Sequence, residues 1–230
     1  MATKKPVQTE DGKVIDLAIK TVKVKLKGTR PILLHNGQLA DPLNPIVLRK
    51  KEITSKKKQA RDGVASEEAL AKLEFEGGLY LDVDGDVCMP GENIAAMIAG
   101  GGTIRKKGSA LKRTVRCYDE PKLIFEGLDD VKTAVKGGSS VVDYLIENYK
   151  RFSLRKRIVN SGPGNTSTAR TRPMFRNWSL SFEIHVVLGA DVDLSDVRSA
   201  LDVSGQLYGL GDWHGRYGLF VVEKFDEVVK

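Results

Sequence analysis

At 230 residues and 41% apolar side chains, the chain has enough length and hydrophobic content for a core, which excludes global disorder. No apolar run approaches the roughly 18 residues of a membrane-spanning helix, and the opening MATKKPVQTEDGK has no apolar signal region. A spanning or secreted protein is therefore not expected, and the expected location is the cytoplasm. The net charge of +7 is unevenly spread: segments 48–62, 103–116, 150–157 and 170–176 carry +5, +6, +5 and +3, leaving −12 for the remainder. A polyanion-binding face produces such asymmetry.

Residues 1–13 read as a polar tail. In KTVKVKLKG (20–28), Val22, Val24 and Leu26 alternate with Lys23, Lys25 and Lys27, a strand with one buried face and one lysine face. TRPILLHNGQLADPLNPI follows, an extended segment whose three prolines exclude a long helix. The basic block 48–62 reads as mobile in preference to helical. Ser66 caps a helix over 66–76 that Gly77 and Gly78 end. LYLDVDGDVCMP (79–90) predicts two short strands around the Asp84–Gly85 turn. Ile94, Met97 and Ile98 then mark a helix opening after Pro90.

The arginine-rich stretch 103–116 shows no hydrophobic period and reads as a loop, and residues 122–125 read as a strand. Residues 139–149 fit helix better than strand, 152–159 look like a strand, and 160–171 have loop composition. Residues 177–188 alternate Trp178, Leu180, Phe182, Ile184 and Val186, a long strand. Asp193 caps a helix that Gly205 stops, and 217–225 form the last strand. The strand at 20–28, the helix at 66–76 and the strands at 79–89 make one β-α-β half, and the C-terminal elements make the other. The expected fold is α+β: a single ferredoxin-like, RRM-like domain over 14–230 with an antiparallel sheet. Basic, thumb-like insertions are expected at about 29–63, 103–120 and 160–173.

Motifs for catalysis are sparse. The three histidines, His35, His185 and His214, form no H-x-x-x-H pair, and Cys88 and Cys117 match no metal spacing. The cysteines read as reduced and structural. DVDGD (82–86) resembles part of a calcium loop but has Gly91 where that loop needs its glutamate, so a hairpin turn explains it better. No metal, no cofactor and no enzymatic activity are expected.

Two places could hold phosphate on backbone. One is the helix start at Gly91 and Asn93. The other is GLGDWHGRYGLFVV (209–222), where Gly209, Gly211, Gly215 and Gly218 let backbone approach a ligand. In the same loop Trp213 and His214 could stack on bases, and Arg216 could pair a phosphate. The alternative for the loop is a Trp213 folded back on the core. The basic segments add Lys50 and Lys51, then Arg105, Lys106, Lys107, Lys112 and Arg113. They also add Arg155 and Arg157, and finally Arg170 and Arg172. Arg30, His35 and Asn36 flank the first strand and complete the candidate nucleic-acid contacts.

MPGENIAAMI together with the late GLGDWHGRYGLFVV resembles the RAMP superfamily of CRISPR-associated proteins, whose members carry a Pro-Gly helix start and a glycine-rich loop before the last strand. RPILLHNGQLADPLNPI is similar in character to the segment after the first strand of effector backbone subunits. The resemblance implies an RRM-like core with a thumb that polymerises along guide RNA beside other effector subunits. The chain's short length implies a minimal, phage- or plasmid-borne relative. RNA-processing members use a histidine near the start, a place His35 alone could fill.

The leading expectation is a non-enzymatic protein that oligomerises along single-stranded nucleic acid, RNA in preference to DNA, away from membranes. The alternatives are a single-stranded DNA-binding protein of phage recombination, an endoribonuclease using His35 or His214, and an inhibitor that mimics an effector subunit.

Overall fold

A computed structural model describes residues 7–8, 14–15, 18–57, 63–159, 167–189 and 191–228. In chain order the strands and helices are β1 (Val7–Gln8), β2 (Val14–Ile15), β3 (Ala18–Gly28), β4 (Ile32–Leu33), α1 (Pro45–Lys57), α2 (Gly63–Gly78), α3 (Gly91–Gly101) and α4 (Gly108–Thr114). They continue with β5 (Val115–Arg116), α5 (Leu128–Lys136), α6 (Val141–Glu147), β6 (Ser153–Val159), β7 (Ser167–Phe175), β8 (Ser179–Leu188), α7 (Leu194–Val203) and β9 (Phe220–Glu227). No helix among the described residues is long and apolar enough to cross a membrane.

The period-two patterns of β3 and β8 make them the inner pair of a four-stranded antiparallel sheet, ordered β5-β8-β3-β9. They run in register from Ala18 opposite Leu188 to Lys27 opposite Ser179. Val22, Val24 and Leu26 face the same side as Leu180, Phe182, Ile184 and Val186, and all are buried. Helices α3 and α7 cover that side with Ile94, Met97, Ile98, Val197 and Leu201. Taken in chain order, the sheet's first and third strands are central, with the covering helix α3 falling between strands one and two and α7 between three and four. This is the α+β ferredoxin-like arrangement expected from the sequence.

Its first half uses different elements from those expected. The covering helix is α3, not the helix at 66–76, and the second strand is Val115–Arg116, not 79–89. Residues 79–89 hold isolated bridges and no strand: Leu81 pairs with Val87 around a turn that Gly85 closes at φ +83°, and Cys88 pairs with Lys122. Helix α2 instead buries Ala71, Leu73 and Phe75 and packs on β7. It lies in a second layer with a three-stranded sheet, β4-β7-β6.

Further segments differ from the sequence reading. The basic block expected to be mobile is helical through Lys57: the Asn44 side chain accepts the Ile46 N–H at 2.9 Å and Pro45 takes the first helical position. The 103–116 loop is a 3₁₀ turn (102–105), then α4, then β5. It shows no hydrophobic period because its helix is two turns long with Leu111 as the buried anchor. Residues 122–125 hold two isolated bridges, not a strand. Residues 167–171 belong to β7, which pairs β6 from Ser167–Val159 to Pro173–Ser153; 160–166 lie outside the described residues. Most of the 1–13 tail does too, although Val7 and Gln8 pair with Ile15 and Val14. Helix α5 had no counterpart in the sequence reading.

The lysine face of β3 meets carboxylates within its own sheet: Lys23 pairs with Glu183, and Lys25 and Lys27 share Glu223 on the neighbouring strands. On the opposite face, Lys20 pairs with Glu227. Lys122 sits among Asp82, Asp84 and Asp86, so an ammonium already serves the carboxylates of the calcium-like turn. Both cysteines are free, and burial first of all pushes each thiol up to about 11.

Candidate nucleic-acid interface

Helix α7 ends in a wide turn, Ser204–Tyr208, and the glycine-rich loop follows. All four of its glycines have positive φ. The loop closes on itself and on the start of β4. The Gly215 N–H donates to Tyr208 O at 2.7 Å, Leu210 N–H to Gly218 O at 2.9 Å, Asp212 N–H to Leu33 O at 2.8 Å and Gly218 N–H to Pro31 O at 2.7 Å. A Cβ on Gly211 would overlap the Leu33 carbonyl, and one on Gly218 the Leu210 carbonyl. The close approach these glycines permit is thus to the chain's own backbone. Gly91 is similar: it is buried, and a Cβ there would meet the carbonyls of Cys117 and Asp119.

The loop forms one wall of a two-part cleft. The first recess, about 190 Å³, lies between α3 and the loop, with Asn93, Ala96 and Met97 on one side and Gly211, Asp212 and His214 on the other. His35, Tyr80 and Tyr208 complete it. The His214 ring stacks on Tyr208 with centroids 4.5 Å apart, and the Tyr80 hydroxyl donates to His35 O at 2.8 Å. The second recess, about 270 Å³, shares His35 and adds Asn36, Lys50, Glu74, Arg170 and Arg172. Burial and the nearby Arg172 hold His35 below the ordinary imidazole value.

Sequence-distant candidates therefore come near one another: Asn93, Gly211 and His214 line the first recess, Asn36, Lys50, Arg170 and Arg172 the second, and His35 borders both. Several of them already have partners. Asn36 Oδ1 accepts the Gln38 N–H and its amide donates to Leu79 O. Glu74, 7% exposed, takes Lys50 and Arg170 at 3.0 Å each and the Thr171 N–H at 2.8 Å. Burial raises the Glu74 carboxyl, but these three donors outweigh it and the net shift is downward. Arg172 Nε is 2.9 Å from Asp212.

The other basic candidates separate in the same way. Arg155 pairs with Glu67, Lys107 with Asp196, and among the described residues Lys51 reaches only the Pro42 carbonyl at 3.5 Å. The side chain of Arg157 lies outside the described residues. Arg30 is exposed, and its carbonyl accepts the buried Trp178 indole N–H at 2.8 Å. Arg216 is exposed over the Tyr217 ring. Trp213 is half-buried at φ +53°, with the Lys156 ammonium 5.4 Å from its ring. It neither plugs the core nor stands free.

Around α4 the pattern reverses. Arg105, Lys106, Lys112 and Arg113 are all exposed, and none has an ion-pair partner among the described residues. Ile104, 63% exposed, lies beside them.

Sequence reasoning missed Tyr80, Tyr208, Glu74 and Asp212. An acidic residue inside an amphipathic helix carries no mark of burial. Tyr208 precedes the glycine motif and Asp212 lies inside it, so both could have been found from it.

No family model matches the chain, and no curated protein matches it. Among solved structures the chain is similar to one described as the cryo-EM structure of the Type III-B Cmr-beta bound to cognate target RNA. The identity is 9% and the TM-score 0.48, covering 91% of this chain and 61% of that one, so this chain spans about three-fifths of that chain's length.

Proposed function

We propose that the chain binds single-stranded nucleic acid without cleaving it, RNA in preference to DNA, and assembles in copies along the strand. The observation that carries this reading is the cluster Arg105, Lys106, Lys112 and Arg113: four exposed cations that no carboxylate of the described residues neutralises. In segments 150–157 and 170–176, by contrast, Lys150, Arg151, Arg155, Arg170 and Arg172 already pair with carboxylates. Unpaired cations are the ones that can exchange condensed counterions for phosphate. The preference for RNA and for a CRISPR-type effector context rests on the two RAMP-like motifs.

The test is strand binding against salt. With four phosphates neutralised at about −0.7 each, the log–log slope is about −3. Reversing all four charges (R105E, K106E, K112E, R113E) removes most of that slope. A flat salt response in the unaltered protein would overturn the reading.

A second reading has its own observation. His35 and His214 line one recess beside Arg172, the parts of a metal-independent ribonuclease with neutral His35 as base. The binding reading ranks above it because His214 is stacked on Tyr208 and Arg172 is tied to Asp212. RNA cleavage in EDTA that H35A abolishes would reverse this order.

A further inference from the structure

We infer that the first recess receives one nucleobase of the bound strand, turned out of the stack, with its phosphate in the second recess. This rests on the nucleic-acid reading above and gives it a specific subsite. The size fits: about 190 Å³ is below the roughly 300 Å³ at which sites for drug-sized ligands begin, the scale of one flat ring system.

The lining fits as well. Tyr80, Tyr208 and the two histidines supply ring surface, and every base has a π-face to set against it. Met97 gives an apolar floor. Asn93 sits on the α3 wall, and its amide has one partner among the described residues, the Met89 sulfur at 3.7 Å. That is a weak contact to give up for a base edge, and an amide side chain can meet an adjacent donor and acceptor, as on adenine N6 and N7.

The second recess continues the path. His35 borders both, so a nucleotide with its base against α3 places its phosphate beside Lys50, Arg170 and Arg172. Lys50 and Arg170 pair with Glu74 and Arg172 pairs with Asp212, so three cations are set against two carboxylates. A phosphodiester is therefore met by one residual positive charge even though each cation is partnered in the free protein.

The experiment follows the ring resonances of His35 and His214 by NMR while adenosine 5′-monophosphate, or ribose 5-phosphate, is added. Affinity for a single-stranded RNA is measured alongside. The variant is A96W, which fills the recess from an exposed position on α3. The inference expects His214, which lines only the first recess, to shift with adenosine monophosphate and not with ribose phosphate, while His35, which borders both recesses, moves with either. It expects A96W to abolish the His214 shift and to lower strand affinity about ten-fold, as loss of one stacked base does. Equal His214 shifts with ribose phosphate would replace the base site by a phosphate site and overturn it. An unmoved His214 with unchanged strand affinity in A96W would overturn the base site and leave the nucleic-acid reading standing. No binding of any strand or monophosphate would overturn both.

Discussion

Two glycines of the loop 209–218 have similar backbones and different surroundings, which makes them a test of what the loop is for. Gly215 has φ +75°, is exposed, and a Cβ on it would lie 3.3 Å from the Leu207 carbonyl. Gly211 has φ +92°, and its Cβ would fall on the Leu33 carbonyl in β4. A left-handed conformation costs an ordinary residue roughly 1–2 kcal/mol, and replacing glycine by alanine returns about 0.4–1 kcal/mol from the unfolded chain. G215A should therefore cost about 1 kcal/mol.

G211A adds a collision with backbone that cannot rotate away. Loop and β4 must separate, which breaks the 2.8 Å bond from Asp212 N–H to Leu33 O and leaves a carbonyl of a fully buried residue unsatisfied, about 1–3 kcal/mol more. The total is about 3 kcal/mol. Urea denaturation reads the difference directly, and at about 2–4 °C per kcal/mol for a chain of this size a thermal melt reads it too. Strand affinity per folded molecule should hold in G215A. If G211A melts like G215A while losing strand affinity, the glycines serve a ligand and not the chain's own β4.

Three other outcomes follow from the site. Trp213→Ala should cost less stability than the 3–5 kcal/mol of a core tryptophan, because the ring is half-buried under Lys156; a stability loss of that full size, measured by denaturant titration, would place it in the core. Glu74→Gln should cost about 3 kcal/mol, the low end for breaking a buried pair, since Lys50 and Arg170 are 22% and 41% exposed and can turn to water. Because the Glu74 carboxyl is lowered by folding, its stabilisation is complete above the ordinary value of 4.5 and fades as pH falls toward the lowered one. E74Q should flatten the acid limb of the stability–pH curve, and an unchanged acid limb would show that the carboxylate is not held as described. His35, also lowered, makes stability rise with pH up to its ordinary value of 6.5, and H35Q should remove that slope, read from melts between pH 5 and pH 7.

The strands β3 and β8 were legible because each buries one face and wets the other, so period two survives in the sequence. Helix α7 was legible from Asp193, whose side chain caps the Asp196 N–H as expected. The first half of the core was misassigned for the opposite reason. Its true second strand has two residues, too short to carry a period, and α2 is a better sequence helix than the site it was given. What places α2 on β7 is the buried Glu74 and its three donors, contacts 24 to 97 residues apart that no local pattern holds. The glycine motif was seen, but a glycine required by a ligand and one required by a neighbouring carbonyl look the same in sequence.

Charge gives the same lesson and then goes further. By sequence, 170–176 and 103–116 are both arginine-rich, yet Arg170 and Arg172 are anchored by Glu74 and Asp212 while Arg105, Lys106, Lys112 and Arg113 are not. On the proposed reading, the anchored cations shape the cleft and the unanchored ones supply the long-range attraction. Helix α3 joins the two: Asn93 near its start borders the base recess, and Arg105 lies just past its end. The eight residues from Asn93 to Gly101 rise about 12 Å along the axis before the 3₁₀ turn that carries Arg105. At about 3.4 Å per stacked nucleotide the helix alone spans about three to four nucleotides. On the proposed reading, a shorter strand engages either the recess or the patch, and a longer one engages both as linked contacts, the second made at the high effective concentration set by the first.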